Sequence, residues 1–150
     1  MPKTLPARLE AQKRSLFSGR WLAAPDDQGE FPTNADRFAA EGLWRLRELR
    51  PPHVHGLLLQ GLAATWHHMG PDRLRLLGSR IDRVLVCTGT ADAMIEPSHS
   101  DVLVQGIAAG GCKVVKRLFP GVGHVLSWEA VAEYNSMLDE FVTHAHARSI

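Results

Sequence analysis

The sequence predicts an α/β protein in which a run of helices precedes one strand–helix–strand–helix unit. Two observations carry this. Helical periodicity recurs through the first eighty residues, and then two short apolar runs rich in β-branched residues appear, Val84–Cys87 and Lys113–Phe119, separated by a helical segment. Strands alternating with helices imply a parallel sheet.

Taken in order, residues 5–19 predict one helix, with Leu9, Leu16 and Phe17 as its apolar side. Pro25-Asp26-Asp27-Gln28-Gly29 predicts a turn or loop. Thr33 is placed to cap a second helix, with Asp36 in its first turn near the positive helix end. Phe38, Leu43, Leu46 and Leu49 give that helix its period up to Pro51-Pro52. A third helix is expected over 54–67, with Leu57, Leu58, Leu62 and Trp66 on its apolar side. Gly70-Pro71 stops it, and Pro71 opens a short fourth helix through Leu74 and Leu77.

The apolar run 84–87 reads as a buried parallel strand ended by Thr88-Gly89-Thr90. Residues 97–109 return to helix, with Val102, Leu103, Ile107 and Ala108 toward a core, Ser98 and Ser100 as caps, and Gly110-Gly111 as the stop. Charges interrupt the second strand, 113–119, so one edge or face of it should meet solvent. A last helix from about Trp128 to His146 is expected to bury Val131, Asn135, Leu138, Phe141 and Val142. The natural division is 1–80, helical, and 81–150, βαβα. No internal repeat or low-complexity tract interrupts it.

The bulk numbers exclude several function classes. The chain has 150 residues, 45% hydrophobic and 22% charged, the profile of one ordinary globular domain. A net charge of +1 gives no field to draw nucleic acid or an anionic membrane. No apolar run has the length of a membrane span, and the amino terminus lacks the apolar core of a secretory signal. Cys87 and Cys112 do not make a disulfide framework, so a reduced, cytoplasmic setting is the default. Basic residues between Lys3 and Arg20 leave a mitochondrial transit peptide as the alternative; Glu10 speaks against it.

The chemistry concentrates between Val84 and Glu129. Strand one is followed by Thr88-Gly89-Thr90-Ala91-Asp92, strand two by Gly121-Val122-Gly123-His124. An acid after one parallel strand and a histidine after the next stand together at the carboxyl edge of the sheet, where open α/β folds bind ligands. A carboxylate accepting from one imidazole nitrogen fixes the tautomer and leaves the other nitrogen free as a base.

The stretches "VLVCTGTADAMIEP" and "FPGVGHVLSWE" resemble the last two strands of the α/β-hydrolase superfamily, a serine-hydrolase family whose triad runs nucleophile, acid, histidine along the chain. Asp92 matches the acid of its G-x-x-D turn and His124 the histidine of its G-x-G-H turn, 32 residues apart. The helical segment 1–80 is similar to the family's cap. The resemblance implies an incomplete α/β-hydrolase fold: helical cap, then the last two parallel strands with flanking helices. It implies descent from an ester or acyl hydrolase, a small ester or acyl substrate if an amino-terminal half completes the site, and no cofactor.

One departure from the family decides the expectation. None of Ser15, Ser18, Ser79, Ser98, Ser100, Ser127, Ser136 and Ser149 sits in a G-x-S-x-G elbow, and no oxyanion loop is present. The chain alone is therefore expected to be inactive: a truncated copy, a partial gene model or one half of a split enzyme. The alternative is a non-catalytic pseudoenzyme fragment that dimerises or binds another protein through an exposed strand edge.

The remaining reactive residues take plainer readings. Glu129 suits a helix start and reads as structural. His67-His68 end a helix and read as capping groups, and His53-Val54-His55 lacks the further ligands of a metal site. His99, His144 and His146 read as solvated, Trp21, Trp44, Trp66 and Trp128 as packing, and Cys87 as a buried inert thiol.

Overall fold

The structure is a computed structural model that describes residues 4–48 and 53–146. Leu49 and the Pro51-Pro52 stop lie outside the described residues.

Helix α1 (Leu5–Leu16) is entered at proline and ends where Phe17 turns extended. Ser18 then caps a separate short helix, α2 (Gly19–Ala23), its hydroxyl accepting the Trp21 N–H. The single helix expected over 5–19 is thus two, because the Ser18-Gly19 pair offers a better start for a new helix than a continuation of the old one. In α3 (Asn34–Glu48), Thr33 accepts the Asp36 N–H and donates its hydroxyl to the Asp36 carboxylate, as the sequence indicated. Helix α4 (Val54–Trp66) and helix α5 (Pro71–Gly78) follow.

Strand β1 (Arg83–Gly89) and strand β2 (Lys113–Phe119) form a two-stranded parallel sheet, with Arg83 opposite Lys113 and Gly89 opposite Phe119. Helix α6 (His99–Ala108) connects them. The chain closes with a short helix α7 (Leu126–Glu129) and a long helix α8 (Val131–His146).

The sheet is covered on both faces. On one, Leu74 of α5, Ile107 of α6 and Cys112 enclose Val84 and Val114. On the other, Phe119, Leu126 and Met137 enclose Leu85, Cys87 and Tyr134. A third packed region joins the amino-terminal helices to α7. Phe17 stacks on Trp21 at 4.6 Å, meets Phe38 edge-on at 5.2 Å and approaches Trp128 at 5.7 Å. The Arg37 guanidinium lies 5.6 Å from the Trp21 ring centre and 5.7 Å from that of Trp128, and pairs with buried Asp26 at 2.7 Å. The Asp26 carboxylate also takes the backbone N–H groups of Gln28, Glu30 and Phe31, which fixes the turn foreseen at Pro25–Gly29.

Several expected burials do not occur. Along α8 the covered stripe is Tyr134, Met137 and Phe141, while Val131, Asn135, Leu138 and Val142 face outward. Two apolar stripes run side by side there, and the break at Ala130 between α7 and α8 selects the other one. On α6, Ile107 is buried but Val102, Leu103 and Ala108 are exposed, because a sheet two strands wide covers only part of that helix. Neither Ser98 nor Ser100 caps α6: Ser98 makes no capping bond and Ser100 donates back to the Pro97 carbonyl. Trp44 and Trp66 are exposed rather than packed. Every large apolar side chain of α4 is exposed, from 44% at Leu62 to 79% at Trp66, so its expected apolar side faces no core.

Candidate active site

Both residues singled out from the sequence follow directly from strand ends. Past Gly89, β1 runs into Thr90-Ala91-Asp92, and past Phe119, β2 runs into Pro120–His124. The two turns are bonded to each other: Thr90 N–H to the Phe119 carbonyl, Ala91 N–H to the Val122 carbonyl, and Gly121 N–H to the Thr90 hydroxyl. Gly89 allows this approach, and Gly123 allows a second one, of the histidine turn to Ser18. A Cβ at Gly89 would lie 2.1 Å from the Val122 oxygen, and one at Gly123 would lie 2.8 Å from the Ser18 nitrogen.

The consequence is a direct contact between Asp92 and His124. His124 Nδ1 lies 2.9 Å from Asp92 Oδ2. The Asp92 side chain is 7% exposed and that of His124 32%. The other Asp92 oxygen accepts the N–H groups of Met94 at 2.8 Å and Ile95 at 2.9 Å. Burial by itself would raise the Asp92 carboxyl, but the bonds from Ile95, His124 and Met94 outweigh it and hold the group below its ordinary value. The group is therefore an anion at neutral pH and acts as acceptor, so Nδ1 of the neutral ring carries the proton and Nε2 keeps its lone pair.

The pair borders a cleft of about 200 Å³ whose floor is the free edge of β1, from Val86 to Gly89, with Leu103 and Leu126 among its apolar walls. Cys87 and Ser100 also line it. Burial pushes the Cys87 thiol up, away from the thiolate form that nucleophilic chemistry needs. Ser100 spends its hydroxyl on the Pro97 carbonyl. A wider cavity, about 470 Å³, lies among Ser18, Trp21, Gly121 and Glu133, and neither Asp92 nor His124 lines it.

Of the other histidines, His99 lines the same cleft, and His53, His55, His67 and His68 do not. His99 opens α6 and is exposed, His53 and His55 are exposed at the start of α4, and His67 and His68 follow its end. At His67 it is the backbone N–H, bonded to the Ala63 carbonyl, that closes the helix. His144 and His146 fall within α8. Among the described residues no group of three or more His, Cys, Asp or Glu converges to hold a metal ion. No helix there is long and apolar enough to cross a membrane.

Glu129 reads from the sequence as structural, and the structure adds partners that the sequence did not indicate. Its Oε1 accepts the N–H groups of Ser18 at 2.8 Å and Gly123 at 3.0 Å, and its Oε2 accepts the Ser18 hydroxyl at 2.5 Å. A bond across 111 residues leaves no mark in local spacing.

No family model, curated protein or solved structure matches this chain. A carboxylate-oriented imidazole at the rim of a mostly apolar cleft can take a proton from an acidic or alcoholic group placed beside Nε2 and return it later.

Proposed function

We propose that Asp92 and His124 are the acid and base of a hydrolytic site of the α/β-hydrolase type, acting on esters or related small acyl compounds. In this reading residues 1–80 are cap-like and 81–150 are the end of the core. The alcohol nucleophile belongs to a polypeptide segment outside these 150 residues.

The observation that carries the reading is the 2.9 Å contact between His124 and Asp92 at the carboxyl ends of two adjacent parallel strands. Nε2 would remove the proton of the incoming alcohol as it attacks the acyl carbon, while Asp92 stabilises the imidazolium that forms. The imidazolium would then protonate the leaving group. The free edge of β1, with helices on both faces of the strand, fits a position inside a wider sheet.

By itself the chain has no nucleophile in an elbow, and loss of the triad serine alone costs several orders of magnitude in rate. Labelling with a serine-directed fluorophosphonate tests this. The 150-residue chain gives no adduct, and a longer in-frame product carrying a G-x-S-x-G elbow gives one that disappears in His124→Ala. An adduct on any serine of the short chain, or one indifferent to His124, contradicts the reading.

A second reading is favoured by one specific observation, the open β1 edge together with the exposed apolar surface of α4. It is a non-catalytic module that pairs with a second copy or another protein through that edge.

A further inference from the structure

We propose that Glu129 is a positioning residue for His124, clamping the histidine turn to the amino-terminal segment through Gly123 and Ser18. This rests on the assignment of Asp92 and His124 as acid and base.

One carboxylate gathers three donors from two places far apart in the chain. Oε1 takes the N–H of Gly123, the residue immediately before His124, and the N–H of Ser18, while Oε2 takes the Ser18 hydroxyl. The Leu16 carbonyl, two residues before Ser18, accepts the N–H groups of His124 at 2.9 Å and Val125 at 3.2 Å. The His124 backbone is thus held from both sides by the segment 16–18, once directly and once through Glu129. The Asp92 contact then has to fix only the ring.

A plainer account makes Glu129 a charge beside the amino end of α8. Such a charge is favoured anywhere on that end. It needs no donors from residue 18, and it gives no reason for the gap at Gly123, where a Cβ would lie 2.6 Å from Glu129 Oε1. The Ser18 hydroxyl also accepts the Trp21 N–H, so the start of α2 and the clamp are one hydrogen-bonded unit.

The test reads the His124 ring by long-range ¹H–¹⁵N correlation in the full chain. The parent shows the Nδ1–H tautomer. Glu129→Ala loses it while amide protection at Val84 and Val86 persists. Glu129→Gln keeps it, since the amide oxygen still accepts from Gly123 and Ser18. Asp92→Ala separates the two proposals. If that change leaves the His124 spectrum untouched, the acid–base assignment fails. If it abolishes the Nδ1–H signal and Glu129→Ala does not, the positioning role alone fails. Should Glu129→Ala lose β1 protection, Ser18→Ala decides: exchange at the Gly123 amide rises by roughly fivefold if the clamp exists and is unchanged if it does not.

Discussion

At Asp92 a small change of one proton is tied to the stability of the whole turn. Because the folded carboxyl lies below its ordinary value, its stabilisation is present above the unfolded pKa of about 3.9 and is lost as pH falls through the folded value. Urea midpoints measured from pH 7 to pH 3 should therefore fall on acidification, and Asp92→Asn should make that fall shallower. Asp26 moves in the same direction: burial opposes ionisation, but the N–H groups of Gln28, Phe31 and Glu30, with Arg37, overcome it, so some acid sensitivity remains in the variant. An unchanged slope in Asp92→Asn would mean that Asp92 is not held as described. Gly123 gives a second prediction at this scale. Its missing Cβ leaves room for Phe17 and Ser18 backbone atoms at 2.9 and 2.8 Å, so Gly123→Ala should cost about 1–3 kcal/mol in urea unfolding.

Among the elements, α5 and α4 behave oppositely despite similar leucine content. Leu74 of α5 is 3% exposed against Ile107 and Cys112, and Leu74→Ala should cost about 2–5 kcal/mol. Leu58 of α4 is 67% exposed, and Leu58→Lys should change the stability of the monomer by no more than about 0.5 kcal/mol. Unfolding curves of the two variants check both. The contrast shows what local pattern can encode. Pro71, Gly70 and the leucine spacing announced α5, and β-branched runs bounded by glycine announced β1 and β2, because each signal acts within a few residues. Which of two apolar stripes on α8 is covered, and whether anything covers α4, depends on partners far along the chain. The same division holds in the site. Asp92 and His124 were legible because each follows its own strand in a short turn, whereas Glu129 and Ser18 meet only in three dimensions.

For the molecule as a whole, a sheet of two strands with an open edge on β1 is marginal cover for a core. The outward N–H and C=O groups of Leu85 and Cys87 are a template for another strand. Light scattering across a concentration series should show self-association, and Cys87→Pro, which removes an outward donor of β1 and bars pairing there, should weaken it. A chain that stays monomeric at high concentration with slow exchange at Leu85 and Cys87 would contradict the weakness assigned to this edge. The aromatic cluster of Phe17, Trp21 and Trp128 with Arg37 ties the amino-terminal helices to the histidine turn, so disturbance at either end should reach the other. The most direct test of the central claim is the pairing itself: the ¹⁵N shifts of the His124 ring in its uncharged form. The account predicts a protonated Nδ1 and a bare Nε2, lost on Asp92→Ala. A ring with its proton on Nε2, or one indifferent to Asp92, would contradict it.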